Sequence, residues 1–116
     1  MELNGLVVND EGTQRWYQNE QLHRSDGPAV AWLNGSQFWY QHAQRHRVDG
    51  PAVIHPNGIQ CWYQDGQRHR VDGPAIIWSN GECKWFLNGQ KYSFDQWLDL
   101  VATTDKERTF LALKWS

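Results

Sequence analysis

The chain has 116 residues, a net charge of −2 and eight tryptophans. This length fits one domain with a modest core, and the charge excludes the strongly basic composition that is typical of general nucleic-acid binders. Hydrophobic residues make up 40% of the chain and charged residues 21%, a balance that excludes an intrinsically disordered polymer.

Aromatic rings supply 14% of the residues although mean hydropathy is only −0.77, and aromatic residues combined with turn-forming glycine favour β structure. No apolar run approaches the ~20 residues that a membrane-spanning helix needs. Residues 1–9 lack the basic and apolar regions of a signal peptide. Two cysteines without an export signal are typical of reduced thiols, so we expect a cytoplasmic protein.

A 23-residue repeat is the dominant feature of the sequence. Tryptophan recurs at this interval, at Trp16, Trp39, Trp62 and Trp85. Glycine follows the same interval, at Gly12, Gly35, Gly58 and Gly81. The dipeptide His-Arg recurs from His23, His46 and His69, and the tetrapeptide Asp-Gly-Pro-Ala recurs from Asp26, Asp49 and Asp72. Four features that share one interval predict an array of equivalent units.

Three full units begin at Gly12, Gly35 and Gly58, and half a unit lies on either side of them. In the preceding half unit, Val7-Val8 aligns with Val53-Ile54; the following half unit runs from 81 to 92. We therefore assign residues 1–92 to the repeat array. Because each unit can bury its rings only against its neighbours, the fold needs several units.

Each unit is predicted to be an antiparallel β-hairpin. In the third unit, residues 60–63 are predicted to form an aromatic strand and residues 67–70 the returning strand, joined by a type I′ turn at Asp65-Gly66. Residues 75–78 form the next strand, which Asn80-Gly81 closes with a second turn. The predicted fold class is therefore mainly β: an antiparallel β-hairpin meander of 23-residue units.

The repeat ends at Tyr92-Ser93, where the interval would place His-Arg. Ser93 and Gln96 have the spacing of a capping box, and one helical face follows, made of Phe94, Trp97, Leu98 and Val101. Thr104 and Glu107 have the same spacing and open a second helix, whose apolar residues are Phe110, Leu111 and Leu113. Because repeat arrays need covered ends, we assign residues 93–116 to a C-terminal two-helix cap.

The unit N-G-x-x-x-W-Y-x-x-G-x-x-H-R-x-D-G-P-A resembles the MORN-repeat-variant type of β-hairpin repeat. It is more similar still to the His-Arg-x-Asp-Gly-Pro-Ala repeat proteins of bacteriophages and large DNA viruses, and the ending at residues 92–98 resembles theirs too. The resemblance covers residues 5–92. It implies a viral or prophage accessory protein that binds a partner, and it implies no reaction. MORN-type repeats are linked to protein interaction and sometimes to phospholipid binding.

The sequence predicts no metal site, cofactor or catalytic residue. His46 and Asp49 illustrate a His–Asp pair that recurs once per unit, whereas zinc needs three or four converging ligands. We interpret the aspartate as a cap of the Gly-Pro turn, with histidine and arginine stacked on rings. Cys61 and Cys83 lie one place out of register, so their thiols are expected on opposite faces. Since phosphate loops and nucleophile elbows are missing from the sequence, we expect no enzyme activity.

Arginines recur in one type of predicted strand, at Arg24, Arg45, Arg47, Arg68 and Arg70. Interleaved with aromatic rings, such residues can bind RNA or single-stranded DNA through stacking and phosphate contacts. However, an aspartate follows three of these arginines by two residues, and local pairing would neutralise much of the positive field. Nucleic-acid binding is therefore an alternative and not the leading prediction.

Positions that are the same in every unit are expected to build the array, and positions that differ are free to specialise. The differing positions include the residue before each tryptophan, the position occupied by Trp32 in the first unit, and the hairpin turns. Interfaces favour aromatic residues and arginine, so the predicted partner-binding residues are Trp32, Phe38, His42, Arg45, His55, Arg68 and Trp78. Alternatively, Trp32 and Trp78 fill core between the sheet and the cap.

The leading prediction is a non-enzymatic protein-interaction module, encoded by a phage or prophage, that binds a host protein in the host cytoplasm. Inhibition of a host defence protein is one task of such accessory proteins. The alternatives are binding of RNA or single-stranded DNA along the arginine and aromatic columns, and binding of anionic phospholipid. The sequence leaves the oligomeric state open, because the N-terminal half unit presents a sheet edge that can pair.

Overall fold

The computed structural model describes residues 4–115; residues 1–3 and 116, which we assigned to the array and the cap, lie outside the described residues. The molecule is elongated, with dimensions of 53 × 28 × 20 Å and a radius of gyration of 16.3 Å. A compact domain of this length has a radius of gyration of about 13 Å. The extended shape is the one expected for units stacked along a line.

The described residues form fourteen strands followed by two helices. The strands are β1 (Gly5–Val8), β2 (Gln14–Gln18), β3 (Gln21–Leu22), β4 (Val30–Ala31), β5 (Gln37–Phe38), β6 (Tyr40–Gln41), β7 (Gln44–Arg45), β8 (Val53–Ile54), β9 (Gln60–Cys61), β10 (Tyr63–Gln64), β11 (Gln67–Arg68), β12 (Ile76–Ile77), β13 (Cys83–Leu87) and β14 (Gln90–Tyr92). The helices are α1 (Phe94–Val101) and α2 (Asp105–Trp115).

Ten of the strands form one antiparallel sheet, and four form two local hairpins. The order in the sheet is β1-β2-β4-β5-β8-β9-β12-β13-β14, with β3 paired to β2, and the hairpins are β6-β7 and β10-β11. The N-terminal half unit aligns as expected, because Val7-Val8 lies on β2 in the register in which Val53-Ile54 lies on β9. The predicted antiparallel meander with two C-terminal helices is confirmed.

The predicted aromatic strand of the third unit is divided at its tryptophan. Trp62 lies between β9 and β10, and its amide donates to the carbonyl oxygen of Ala75 at 2.7 Å. The following residue, Tyr63, pairs with Arg68 in the local hairpin instead of continuing the sheet. The returning strand ends at Arg68 and is therefore shorter than the predicted 67–70.

Two kinds of turn recur with the repeat, as predicted. In the hairpin turn both central residues have positive φ, 51° at Asp65 and 80° at Gly66, which is the signature of a type I′ turn. The second turn places Gly81 at φ 87°, and its amide donates to the carbonyl oxygen of Trp78 at 2.9 Å. Both turns reverse the chain within a few residues, which allows consecutive short strands to pair in an antiparallel arrangement.

The His-Arg dipeptide joins each unit to the next. His46 Nδ1 accepts a hydrogen bond from the amide of Asp65 at 3.0 Å, and the amide of Arg47 donates to the carbonyl oxygen of Tyr63 at 3.1 Å. The dipeptides at His23 and His69 make the equivalent pair of bonds. We call this pair of bonds the His-Arg clamp.

The guanidinium of the same arginine closes its own unit. In the second unit, Arg47 lies over the ring of Trp39 at 4.0 Å, donates from Nε to Asp49 at 2.9 Å and donates from Nη1 to the carbonyl oxygen of Pro51 at 3.1 Å. The first and third units repeat these contacts. The prediction that the aspartate caps the Gly-Pro turn is wrong: its carboxylate accepts from arginine, and the guanidinium holds the turn.

A row of directly paired side chains forms the centre of the array. The row runs from strand to strand through Val30, Phe38, Val53, Cys61 and Ile76, and all of these except the half-buried Cys61 are buried. The alanine of each Asp-Gly-Pro-Ala motif is fully buried beside the row. The buried residues form separate small clusters, and the half-buried Cys61 packs against both the cluster of Phe38 and that of Ile76. The core of the array is therefore narrow.

The first cap helix follows the sequence prediction. Ser93 and Gln96 form a complete capping box, and Trp97 and Leu98 are buried. Trp97 packs on Trp85 with ring centroids 4.5 Å apart and donates from Nε1 to the carbonyl oxygen of Arg70 at 2.9 Å. The helix therefore covers the last tryptophan of the repeat interval.

The second cap helix differs from the prediction in two respects. Thr104 Oγ1 accepts from the amide of Glu107, but the Glu107 carboxylate turns to Thr103, so the capping box is only half formed. The buried face of α2 is built from Leu111 with Ala112 and Trp115, whereas Phe110 and Leu113 are exposed. The predicted apolar face was misplaced because the sequence does not show which side of the helix meets the array.

The hairpin turn of the second unit contains a strained residue that the repeat itself can correct. Ala43 has φ 63°, and the third unit has glycine at the equivalent position. A side chain in this left-handed conformation costs about 1–2 kcal/mol, so Ala43→Gly should raise the free energy of unfolding by about 1 kcal/mol after the entropic cost of glycine. Urea denaturation measures the change. Ala102→Gly is the control; because Ala102 has φ −81°, this substitution should destabilise, and equal effects of the two would contradict the prediction.

Candidate functional site

Three of the predicted partner-binding residues form one aromatic cluster. Trp32 lies 5.0 Å from Phe38 and 6.5 Å from His55, measured between ring centroids, and Phe38 meets His55 edge-on at 5.6 Å. His55 Nδ1 also lies 3.0 Å from the hydroxyl of the buried Ser36. The buried Ser36 hydroxyl therefore holds the cluster on its inner side, and Trp32 is the outermost ring.

The members of the cluster differ in exposure. Trp32 is 44% exposed and Trp78, two units further along the same repeat position, is 39% exposed, so neither fills core between the sheet and the cap. Phe38 is only 8% exposed and supports the surface without presenting itself to a partner. The predicted residues thus divide into exposed side chains that a partner can contact and buried side chains that support them.

Arg45 lies beside the cluster. It lines, together with Arg15, Trp32 and Phe38, one hollow in the surface, and its guanidinium lies 5.4 Å from the ring centroid of Tyr63. Arg68 occupies the same repeat position one unit further on and donates from Nε to the Tyr63 hydroxyl at 3.2 Å. Both arginines are therefore positioned by tyrosine, and only Arg45 adjoins the aromatic cluster.

His42 is not part of the cluster. It is the first central residue of a hairpin turn, with φ 51°, and its amide donates to His23 Nδ1 at 3.0 Å. The two imidazole rings lie 4.7 Å apart. The variation seen at this repeat position reflects tolerance of the turn, where any residue able to adopt positive φ can serve.

One exposed residue next to the cluster is not among the predicted partner-binding residues. Leu33 follows Trp32 in the turn and is 80% exposed, and both line a second hollow with Arg15. The equivalent residues of the next two units are Pro56 and Ser79, so variation at this repeat position was the available signal. We call Trp32, Leu33, Phe38, Arg45 and His55 the Trp32 face.

The arginines of the repeat array fall into two electrostatic classes. Arg24, Arg47 and Arg70 each form an ion pair with the aspartate two residues later. The hydrogen bond and charge of Arg24 and Arg47 hold the pKa of Asp26 and Asp49 below the usual range. In contrast, among residues 4–115 the arginines at 15, 45 and 68 make no ion pair. Uncompensated positive charge therefore lies on the side of the Trp32 face.

The surroundings of the two cysteines favour a structural role for both. Cys61 pairs with Ile76 and Cys83 with Ile77, in adjacent rows of the sheet, so the thiols point to opposite faces as predicted. Burial raises the pKa of both thiols, against the opposing charge of arginines. A raised pKa reduces the thiolate fraction at neutral pH, and the thiolate is the form that acts as a nucleophile.

No group of three or more His, Cys, Asp or Glu residues within residues 4–115 is placed to hold a metal ion. Neither α1 nor α2 is long and apolar enough to cross a membrane.

The first His-Arg clamp should weaken in mild acid. Burial, with a smaller effect of His42, lowers the pKa of His23, and its Nδ1 must be unprotonated to accept the His42 amide. A lowered folded-state pKa means that the unfolded chain takes up the proton first. This stabilisation is therefore complete above about pH 6.5 and is lost as the pH falls through the folded-state pKa.

Urea denaturation between about pH 7.5 and 5 tests this coupling. In His23→Asn an amide oxygen can accept the same hydrogen bond but does not titrate, so the decline in stability should be shallower than in the wild type. Identical pH slopes for the two proteins would show that His23 is not the linked group.

Comparisons of the chain with known protein families, curated proteins and solved structures find no match.

Proposed function

We propose that this chain is a non-enzymatic protein-interaction module that binds a partner protein through the Trp32 face. The observation that carries the proposal is an exposed tryptophan held on an aromatic support, with the ring of Trp32 packed at a tilt against Phe38 and His55. Tryptophans of this kind dominate the binding energy of protein interfaces because they bury much area without losing many rotamers.

The charges around the face favour a particular kind of partner. Arg15 and Arg45 line the hollow beside Trp32, and no acidic residue lines it with them. The adjoining hollow, which contains Leu33, is lined by Arg15 together with Glu11, so Arg45 is the arginine with the more open surroundings. We therefore expect a partner surface that inserts an apolar side chain against Trp32 and Leu33 and brings carboxylates to the two guanidinium groups. Electrostatic complementarity of this type speeds association and selects against wrong partners.

Nucleic acid is a weaker candidate for the same protein. The arginines of the His-Arg dipeptides are tied to aspartate and to the ring of their own tryptophan. Phosphate contacts would have to replace these bonds, and the acidic partner would remain beside the phosphate. A single-strand binder presents open arginines next to free aromatic faces. The Trp32 face does have such groups in Arg15, Arg45 and Trp32, so the nuclease and salt dependence of binding distinguishes the two candidates.

The resemblance to repeat proteins of bacteriophages suggests where the partner is found. A phage or prophage accessory protein would act in the cytoplasm of the host, so the partner would be a host protein, and a defence protein is one class to examine. Anionic phospholipid, the other ligand linked to MORN-type repeats, is included as an outcome of the test below.

Affinity capture from bacterial lysate tests the proposal when wild type and variants are compared. Trp32→Ala should reduce recovery of a specific protein at least about tenfold, because a central interface tryptophan contributes 2 kcal/mol or more. Trp78→Ala is the matched control, since it removes an exposed tryptophan from the same repeat position away from Phe38. Recovery with this control should equal the wild type.

Three results would contradict the proposal. The first is equal recovery with Trp32→Ala and wild type. The second is capture that nuclease abolishes and that falls steeply with salt, as phosphate binding requires. The third is flotation with vesicles of anionic phospholipid in the absence of any protein partner.

A further inference from the structure

Two equivalent grooves cross the array on a surface distinct from the Trp32 face. The first lies between the loop 25–27 of one unit and Trp39, His46 and Arg47 of the next. The second lies 23 residues further along, between the loop 48–51 and the corresponding side chains of the third unit. We call these the first and second groove. Each therefore has an Asp-Gly-Pro loop as one wall and a tryptophan of the following unit as the other.

The third equivalent position is not open, because the cap fills it. Trp115 of α2 donates from Nε1 to the carbonyl oxygen of Asp72 at 3.0 Å and meets Trp85 edge-on at 6.1 Å between centroids. Its ring lies so close to Gly73 that a Cβ there would come within 2.6 Å of it. The structure thus shows which kind of side chain this groove accepts.

Two of the features that contact Trp115 are present in both open grooves. Asp26 and Asp49 occupy the position of Asp72, and among residues 4–115 no group donates to their backbone carbonyl oxygens. Gly27 and Gly50 occupy the position of Gly73. A hydrogen-bond acceptor and a glycine floor are therefore available twice more.

The walls differ in polarity. The open grooves contain glutamine, histidine and arginine, as Gln41, His46 and Arg47 in the first, where the filled groove has Leu87, Tyr92 and Ser93. The arginine of each open groove lies over the ring of its wall tryptophan. Asp26 and Asp49 also leave exposed carboxylates at the rims. Polar walls of this kind can be exposed to water when the groove is empty. They therefore suit an occupant that comes from another molecule and dissociates, whereas the apolar walls of the filled groove suit a permanent occupant such as Trp115.

We propose that the two open grooves each take the indole ring of a tryptophan carried by one helix of a partner protein. The units add two strands each to the sheet, which spaces the grooves about 10 Å apart. Residues seven positions apart on a helix lie about 10.5 Å apart on one face. The partner helix therefore presents tryptophans at positions i and i+7, with each indole N–H directed at the carbonyl oxygen of Asp26 or Asp49.

A designed helical peptide tests this site directly. The probe is an alanine-, glutamate- and lysine-based helix with two tryptophans seven residues apart, titrated into ¹⁵N-labelled full-length protein. We expect saturable shifts of the Gly27 and Gly50 amides and of the Trp39 and Trp62 indole signals, with Kd below about 1 mM. Replacing one tryptophan of the peptide by alanine should weaken binding at least about tenfold. The remaining indole ring then binds alone, without the gain in affinity that comes from linking two rings in one helix.

Val48 is the residue of the protein to substitute, because its exposed side chain lines both grooves. Val48→Glu should weaken the peptide at least about tenfold through desolvation of the new charge. Leu33→Glu is the matched control; it introduces the same charge at an equally exposed apolar residue of the Trp32 face and should leave the affinity unchanged.

The site is overturned if no saturable shift occurs up to about 1 mM peptide, if Val48→Glu binds as well as the wild type, or if the shifts fall on the Trp32 face. Shifts of the groove signals that depend on protein concentration without peptide would identify a second copy as the occupant and would also overturn it. These results are independent of the Trp32→Ala capture, so either surface can fail without the other.

Discussion

The His-Arg clamp is the constraint on which the rest of the molecule depends. Its histidine accepts an amide of the next hairpin turn, and its arginine amide donates to the next aromatic residue. The same arginine side chain lies on the tryptophan of its own unit and holds the Asp-Gly-Pro loop. One dipeptide therefore links neighbouring units and closes a unit at the same time. With so narrow a core, this local bonding does much of what a large hydrophobic interior does in a compact domain.

The clamp also separates the two surfaces of the array. Paired arginines, tryptophans and Asp-Gly-Pro loops lie on the side that carries the grooves, whereas the arginines without ion pairs accompany Trp32 and the tyrosines. The His-Arg and Asp-Gly-Pro residues of the first surface are the same in every full unit, because the clamp and the loop need them. The second surface varies, because nothing in the clamp depends on it. Two binding modes on one array are consistent with this division.

Much of the fold was predictable because it is dictated by local rules. The turn at Asp65-Gly66, the half unit at Val7-Val8 and the capping box at Ser93 each follow from residues close in sequence. The buried face of α2 does not follow from such local rules. Leu111 and Phe110 are both apolar, and only the way the helix lies on the array decides which of them is buried. Likewise, repeat variation identified Trp32 as a candidate but could not separate it from His42, whose variation belongs to a turn. The role of Trp115 in a groove required the three-dimensional equivalence of the units.

The filled groove beneath Trp115 has a consequence for how long such a protein can be. The bonds of the His-Arg clamp use groups that each full unit possesses, so a gene could gain or lose 23 codons and keep the same interface between units. The sequence changes where the last half unit meets the cap, since Tyr92 and Ser93 replace the His-Arg dipeptide that binds a following unit, and Leu87 replaces the glutamine of the open grooves. Array length is then set by where these three replacements occur, and the number of open grooves rises by one with each unit inserted before them.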